Sequence, residues 1–413
     1  MSLRWPASRW DSSPAEAAAT RRYYPGSDVR RAITVDELRH IARRRTPYFA
    51  FEYLEGGAED EVALRRNRDA FGSVAFVPRT LVDTRARDLS TTLFGAPLAL
   101  PLVIAPTGLN GLLRHGADRM LAHAAFARQI PFCLSTVSNL LPAEVAASGG
   151  RLWMQLYVFK DAAITSRILQ RAEAADCEAL LFTTDANVFG SREWHQRAFA
   201  APGRLTLRCT LEMLRHPRWM WDVLRPGLPR FVNVAEFLPA AAQSARAGVT
   251  VIPSLFEPSI NWDDVARLRD RWRRRLIIKG ILAAEDVERA LRLGCDGVVL
   301  SNHGGRQLDA CVAPFEVLPE IARVFRDRIT ILVDGGFRRG AEIAKALALG
   351  AHAVLIGRAT LYGVAAGGEA GARRALDILA SEFDRTLGLI GCRSLAELRE
   401  ARLVPIAPLS AAP

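Results

Sequence analysis

Between Leu102 and Ile356 the chain repeats one device eight times: an apolar run of three to five residues stops at a small or polar residue, and helically spaced sequence follows. The runs are Leu102 to Ala105 before Pro106, Thr107 and Gly108; Phe132 to Leu134 before Ser135; Leu152 to Leu156, carrying Gln155, before Tyr157; and Leu180 to Phe182 before Thr183, Thr184 and Asp185. Then come Leu276 to Ile278 before Lys279 and Gly280, Val298 to Leu300 before Ser301 to His303, Ile331 to Val333 before Asp334 to Gly336, and Val354 to Ile356 before Gly357 and Arg358. Strands that are apolar throughout and separated by helices such as Ala284 to Leu293 imply a parallel sheet covered on its outer face. Eight such units in succession predict an α/β fold, a (β/α)8 TIM barrel, with its active site at the C-terminal strand ends. A doubly wound sheet is the alternative, but it requires neither a count of eight nor functional residues at every strand end.

The barrel accounts for about residues 98–390 of a 413-residue chain that is half hydrophobic and can bury a large core. The division expected is an N-terminal extension over 1–33 and one domain over 34–413, with a long insertion at 200–261 after the fourth strand. The net charge of +11 comes mostly from arginine. The arginines are not gathered with aromatics into a compact basic motif, so the reading excludes nucleic acid and leaves anionic substrates or an anionic membrane surface. Six cysteines without a CxxC pair or metal-ligand spacing read as buried thiols in a reducing compartment, and no metal site is expected. No apolar run approaches the roughly 18–20 residues of a membrane span. The N-terminus lacks the apolar core of a secretory signal, so a cytoplasmic protein is expected.

Ahead of the barrel, Thr34 to Glu37 spells a capping box that opens a first helix, closed by Arg43 to Arg45. Thr46 and Pro47 announce a second, with Thr46 as cap, running through Tyr53 to Gly56. Asn67 to Leu93 reads as a polar connecting layer.

The sixth strand end is the most chemical. Ser301-Asn302-His303-Gly304-Gly305-Arg306 delivers an imidazole and a guanidinium on backbone loosened by two glycines. A base beside an anion clamp suits proton removal from a substrate bearing a carboxylate. His303 could be an ordinary loop histidine, but seven other strand ends aim at the same place. A barrel puts phosphate at the loops after strands seven and eight. Here these read Asp334, Gly335, Gly336, Phe337, Arg338, Arg339 and Gly357, Arg358, with a helix opening at Gly340 to add its positive end. Lys279 reads either as a Schiff-base nucleophile or as a counterion for a cofactor that becomes anionic on reduction. Gln155, Thr183 and Ser135 offer the uncharged hydrogen bonds a heterocycle wants, and Tyr53 reads as a core aromatic.

KGI at Lys279, SNHGGRQLD at Ser301, DGGFRRG at Asp334 and IGR at Ile356 resemble the FMN-dependent 2-hydroxy acid dehydrogenases and oxidases, over about Val35 to Cys392. Within that family YLEGGAEDE, PTGLNG, LSTVSN, LWMQLYV and GRATLYG are most similar to the membrane-associated mandelate dehydrogenases. HPRWMWDV and FEPSINW are more similar to the quinone-linked bacterial L-lactate dehydrogenases. The resemblance implies His303 as base with Asp185 as its carboxylate, and Arg306 and Arg192 on the substrate carboxylate. It puts Tyr53 on the substrate, replacing the core reading, and Tyr157 by the substrate hydroxyl. It sets Lys279 beside flavin N1, which favours the counterion. It implies FMN contacts at Pro106, Thr107, Gly108, Ser135, Gln155, Thr183, Ser301, Asp334, Gly335, Gly336, Phe337, Arg338, Gly357 and Arg358. Many soluble oxidases carry Ala where this chain has Gly108, which favours an acceptor other than oxygen, and the resemblance implies a homotetramer.

The insertion sets Leu211, Leu214, Trp219, Trp221 and Phe231 among Arg204, Arg208, Arg215, Arg218, Arg225 and Arg230. Basic, amphipathic, tryptophan-bearing sequence suits a membrane interface. The expectation is therefore peripheral membrane contact through about 204–231, on the inner face of the cytoplasmic membrane, the alternative being a lid or subunit contact. The function expected is oxidation of an (S)-2-hydroxy acid of the mandelate or L-lactate class to the 2-oxo acid, with electrons passing through FMN to a membrane quinone. A soluble oxidase producing hydrogen peroxide and a non-redox phosphate-binding barrel are the other readings.

Overall fold

A computed structural model describes residues 23–201, 203–239, 243, 251–252 and 254–406. Eight parallel strands close into a barrel: β1 (Leu102–Ile104), β2 (Phe132–Leu134), β3 (Leu152–Leu156), β4 (Ala179–Thr183), β5 (Arg275–Ile281), β6 (Gly297–Leu300), β7 (Thr330–Val333) and β8 (Ala353–Ile356). Closure is made where β8 pairs with β1, Val354 opposite Leu102 and Ile356 opposite Ile104.

Both faces of these strands are buried, which is why they read as unbroken apolar runs. Leu180, Phe182, Leu276, Ile278, Val298 and Ile331 belong to the cluster under the outer helices. Val103, Cys133, Trp153, Leu181, Ile277, Val299 and Leu355 fill the barrel interior. At the N-terminal end a hairpin, Thr91–Leu93 with Ala96–Leu98, plugs the barrel, its Leu93 and Leu98 buried in the interior cluster. The first hairpin strand ends the stretch Asn67 to Leu93 that the sequence predicts as a connecting layer, and a helix at Val62–Asp69, which the sequence does not predict, runs into its start. Short strands and a polar helix whose buried positions are Ala63 and Asn67 carry too little apolar periodicity to be read.

The first N-terminal helix, Val35–Arg45, is capped as expected on one side, Thr34 Oγ1 accepting from Glu37 N at 3.1 Å. The return half of the capping box differs, because the Glu37 carboxylate accepts from Ile33 N (2.7 Å) and Tyr24 N (3.1 Å) instead of Thr34 N. In this way it ties down the described end of the extension, and Arg374 Nε fixes it again by donating to Ala32 O at 2.8 Å. Residues 1–22 of the extension lie outside the described residues.

The second helix is Tyr48–Glu55, and its N-cap is Pro47. Thr46 is not its cap: its amide closes the preceding helix on Ala42 O, and its buried hydroxyl has no partner among the described residues. Five of the six cysteines are buried, and none is in a disulfide.

Between β4 and β5 the insertion forms a small hairpin (Phe199–Ala201 with Arg204–Leu205) and two helices, Leu207–Met213 and Pro217–Leu224. Trp219 is buried, its indole N–H donating to Leu112 O at 2.8 Å and its ring meeting Phe49 edge-on. Leu207, Leu211, Leu214 and Trp221 face outward and are more than half exposed. No described helix is long and apolar enough to cross a membrane.

Candidate active site

The C-terminal strand ends converge on one cavity of about 250 Å³. Its wall includes Tyr53, Pro106, Thr107, Gly108, Ser135, Gln155, Tyr157, Thr183, Arg192, Lys279, His303, Arg306, Asp334, Gly335, Gly336, Phe337, Arg338, Gly357 and Arg358. Every site residue expected from the sequence is therefore on the wall except Asp185 and Ser301, which stand immediately behind it.

His303 follows β6 with a left-handed φ of +56°, a conformation a side-chain-bearing residue adopts only when its surroundings hold it there. The holding is visible. Its amide donates to Ser301 Oγ at 3.0 Å, and its Nδ1 lies 2.9 Å from Asp185 Oδ1. Burial pushes the Asp185 carboxyl upward, yet the charges of His303 and Lys279 and the His303 hydrogen bond more than offset this and hold it below the usual carboxylate range. An ionised carboxylate only accepts, so Nδ1 carries the proton and Nε2 keeps its lone pair. Burial drives the His303 pKa down; Asp185 opposes that, but Lys279 and Arg192 add to it, and the imidazole is neutral at pH 7.

Asp185 comes close because residue 280 is glycine. Gly280 sits at φ +105°, and a Cβ there would lie 2.8 Å from the Asp185 Cβ. The ladder between β5 and β6 slips at this point, and Lys279 O accepts from both Thr184 N (2.9 Å) and Thr184 Oγ1 (3.0 Å).

Lys279 is buried, with Nζ 2.6 Å from Ser301 Oγ and 3.1 Å from Asp334 Oδ2. Burial alone would lower its pKa, but Asp334 and Asp185 outweigh burial and raise it, so it remains an ammonium. A permanently protonated amine cannot attack a carbonyl, and the counterion role is the one the geometry supports. Ser301 is fully buried and serves as the shared acceptor for Lys279 and His303, so it positions those two groups and is not a cavity contact.

Gln155 accepts from Ser135 Oγ (3.2 Å) and Thr136 N (3.0 Å), and donates to Thr183 Oγ1 (3.1 Å). The arginines divide their labour. Arg358 donates to Leu54 O, Gly304 O and Gly56 O, and Arg306 Nη1 donates to Tyr53 O (2.9 Å) and Gly56 O (2.8 Å). Together they satisfy carbonyls that the second N-terminal helix leaves unpaired at its C-terminus and so pull Tyr53 into the mouth. Three of the five N–H groups of the Arg358 guanidinium are thus taken by backbone carbonyls. Arg192 has a buried Nε without a partner among the described residues, and burial in the company of Arg192 and Arg358 lowers the Arg306 pKa from its usual value. Three guanidinium groups, Arg192, Arg306 and Arg358, crowd the site, and among the described residues none of them forms an ion pair with a carboxylate, which is the electrostatics of an anion receptor.

The helix expected to present its positive end to phosphate does begin at Gly340 and runs to Ala348. Its first amides are already taken: Glu342 Oε2 accepts from Arg338 N and Arg339 N, and Glu382 Oε2 accepts from Gly340 N. The helix start is therefore capped from within the protein, while Gly335, Gly336, Gly357 and Arg358 remain on the cavity wall. Gly336 has φ +89°, and a Cβ there would come within 2.5 Å of Asn67 O. Buried, unpartnered oxygens on Thr107 and Asp334 sit on the same wall as the glycines and Lys279, and this donor set fits a phosphorylated heterocycle such as FMN.

His195 escapes the sequence reading. It follows Arg192 by three residues on a short helix, meets Tyr53 edge-on at 5.4 Å, and is held down to a pKa of about 4 by burial and by Arg306 and Arg192. Spacing from Arg192 along one helical turn is the signal that would have found it. Phe189, Phe231, Ile252 and Phe256 also line the cavity, and they lie in segments without periodicity. Among the described residues no cluster of His, Cys, Asp and Glu could hold a metal.

The family model for FMN-dependent dehydrogenases matches residues 42–405. An (S)-mandelate dehydrogenase from Pseudomonas putida is 42% identical over 369 residues, covering 89% of this chain and 92% of the relative. An L-lactate dehydrogenase from Caulobacter vibrioides is 42% identical over 374 residues, covering 90% and 97%. A crystal structure of the monotopic membrane protein (S)-mandelate dehydrogenase superposes with a TM-score of 0.86 at 41% identity, covering 91% of this chain and all of that one.

Proposed function

The chain belongs to the FMN-dependent dehydrogenase family and is an FMN-dependent 2-hydroxy acid dehydrogenase of the mandelate and L-lactate class, and from that premise we propose the roles of its own residues and the acceptor it serves. The observation that carries the assignment is His303: a neutral imidazole, fixed through Nδ1 by Asp185, opening onto the cavity beside Arg306 and Arg192.

Arg306 and Arg192 bind the substrate carboxylate, with Arg192 Nε supplying a donor that has no other partner among the described residues. Tyr53, kept in place by the Arg306 bonds, donates its hydroxyl to Gly108 O at 3.2 Å and walls the carboxylate end. Tyr157 stands by the substrate hydroxyl, and burial raises its pKa so that it remains a neutral phenol able to donate. His303 Nε2 takes the proton as C2 is oxidised to the ketone, and Asp185 stabilises the imidazolium that forms. Pro106 to Gly108, Ser135, Gln155, Thr183, Asp334 to Arg338, Gly357 and Arg358 would hold the FMN, and the Lys279 ammonium would be the counterion of its reduced form. When bound, FMN supplies the acceptor for the two electrons that leave the substrate. The reaction is therefore 2-hydroxy acid to 2-oxo acid with release of two electrons and two protons.

The onward acceptor we propose is a membrane quinone, met by a protein bound peripherally to the inner face of the cytoplasmic membrane. Support comes from the outward row Leu207, Leu211, Leu214 and Trp221 on the two insertion helices, with Arg225 stacked 4.5 Å over the Trp221 ring. A homotetramer is the assembly the family resemblance implies, and light scattering of the purified protein checks it.

The deciding experiment is anaerobic bleaching of the flavin band by a 2-hydroxy acid, followed by readmission of air or of a soluble quinone analogue. Bleaching with recovery through the quinone is expected. Rapid recovery in air would make it an oxidase, and absence of bleaching by any 2-hydroxy acid would overturn the site assignment.

A further inference from the structure

Asp118 is a buried carboxylate that the reaction above does not use. It is 2% exposed, lies in the first turn of the helix Ala117–Ala127 that follows β1, and forms no ion pair among the described residues. Its partners are two amides: Oδ1 accepts from Asn110 Nδ2 at 2.7 Å, and Oδ2 accepts from Asn139 N at 2.9 Å. Burial pushes its pKa up to about 6 against both hydrogen bonds, so at pH 7 it is largely ionised and only accepts. A carboxylate buried without a cation is costly, and the positive end of the helix offsets only part of that cost. What it supplies is two acceptors for two donors. An asparagine of the same shape would have to turn its NH2 toward one of them.

Both amides belong to loops of the cavity. Asn110 Nδ2 also donates to Thr107 O at 3.0 Å, which closes the turn from Thr107 to Asn110 on itself. Within that turn Leu109 sits at φ +55° and ψ +33°, a left-handed conformation that a leucine adopts only when its surroundings hold it there. Leu109 N donates to Val137 O at 3.0 Å, and Gly108 approaches so closely that a Cβ would lie 2.4 Å from Val137 Cγ2. From the other loop, Asn139 Oδ1 accepts from Gly111 N at 2.7 Å, and Asn139 Nδ2 donates to Arg230 O at 2.8 Å. One carboxylate thus clamps the loops after β1 and β2 to each other. Thr107, Gly108, Leu109 and Val137 are on the cavity wall, and Gly108 O accepts from the Tyr53 hydroxyl.

We propose that Asp118 is a positioning residue for flavin reduction: through Asn110 and Asn139 it holds the strained Gly108–Leu109 segment, and with it the carbonyl that orients Tyr53. The inference rests on the site roles proposed above and extends them to a group outside the cavity. Displacing a reacting geometry by about 1 Å, even from a distance, costs on the order of 100-fold in rate.

The test is Asp118→Asn in the holoenzyme, with whichever of (S)-mandelate and L-lactate bleaches the parent. The limiting rate of anaerobic bleaching per bound FMN should fall about 10- to 100-fold while FMN remains bound. Hydrogen exchange of the amides over residues 107–112 should quicken at least about tenfold, with the barrel strands unchanged. A lower Tm and lower FMN content with an unchanged rate per bound FMN would make Asp118 merely structural and overturn the proposal, as would unchanged exchange over 107–112. If Asp118→Asn does not fold, Asn110→Ala removes the same bond from its other end and should lower the same rate; an unaltered rate there overturns the proposal equally. Where both variants fold, the double variant should be no slower than the slower single one, because the two residues act in one chain. Multiplied losses would show that they act independently and would overturn the route through Asn110. A parent that neither acid bleaches would overturn the site roles themselves, an outcome distinct from these.

Discussion

The strand ends at the barrel mouth and the insertion between β4 and β5 are both parts of one site, yet they are made in opposite ways. At the mouth, Lys279, Ser301, Gln155 and Thr183 are each less than 5% exposed and hydrogen-bonded, so a reactive atom such as His303 Nε2 is held by partners on β4, β5 and β6. The insertion contributes side chains with few polar bonds: Phe231, Ile252 and Phe256 turned into the cavity, and Leu207, Leu211, Leu214 and Trp221 turned out to solvent. On the roles proposed above, the mouth sets the chemistry and the outer face of the insertion sets where it happens, and the two tasks should separate under mutation.

The sharpest break in that comparison is His303→Gln. The amide can still hydrogen-bond to Asp185 but cannot take the proton. The rate of flavin reduction should fall by roughly 10²- to 10⁴-fold while FMN stays bound. Stopped-flow bleaching with a flavin content assay checks it, and a near-normal rate would move the base elsewhere.

Next in size is Lys279→Met. The buried ammonium sits between Asp334 and Asp185, and losing it leaves two buried carboxylates without their cation. Breaking such a pair costs about 3–5 kcal/mol. A large drop in Tm and weakened FMN retention are expected, measured by thermal unfolding and by dialysis. Unchanged Tm and flavin content would mean that water compensates the two acids and that the mouth is wetter than its burial implies.

Asp185→Asn gives a smaller and more diagnostic effect. Asp185 raises the His303 pKa against the burial that lowers it, so removing the charge lets that pKa fall further. Flavin reduction needs the neutral imidazole and is lost as pH falls through the folded His303 pKa, which already lies below the ordinary 6.5. In the variant this acid limb should move to still lower pH, while the plateau rate drops about 10- to 100-fold with loss of the charge-assisted hydrogen bond. A limb that stays in place would assign the titration to another group.

The same division explains what could be read in advance. Eight apolar runs with polar ends sufficed for the barrel, because buried parallel strands need continuous apolar sequence and only their ends are free to carry chemistry. His303, Lys279 and Asp334 were legible for that reason. What Ser301 does was not, since a serine at a strand end looks the same whether it faces a cofactor or props up a lysine and a histidine. Nor was the sealing of the Gly340 helix by Glu342 and Glu382, because Glu382 is 42 residues distant in sequence. Phe256 lies in a segment without periodicity, where sequence order gives no clue to what packs on what, and His195 could be found only from its three-residue spacing behind Arg192.

The smallest kinetic effect is expected on the outer side of the insertion. Deleting the whole segment would be ambiguous, since Phe231, Ile252 and Phe256 would leave the cavity with it. Leu211→Glu, Leu214→Glu and Trp221→Glu combined change only side chains that are 56%, 57% and 66% exposed, and surface changes of this kind usually alter stability by less than about 0.5 kcal/mol each. They remove apolar contact with a bilayer and add negative charge where Arg208, Arg215 and Arg225 would meet anionic lipid. Sedimentation with anionic vesicles should therefore lose the protein from the pellet while flavin reduction stays within about twofold of the parent. Persistent vesicle binding would put the membrane surface elsewhere on the molecule. A fall in flavin reduction as large as that of Asp185→Asn would mean that the outer face is coupled to the inner one, and the separation of chemistry from location would fail.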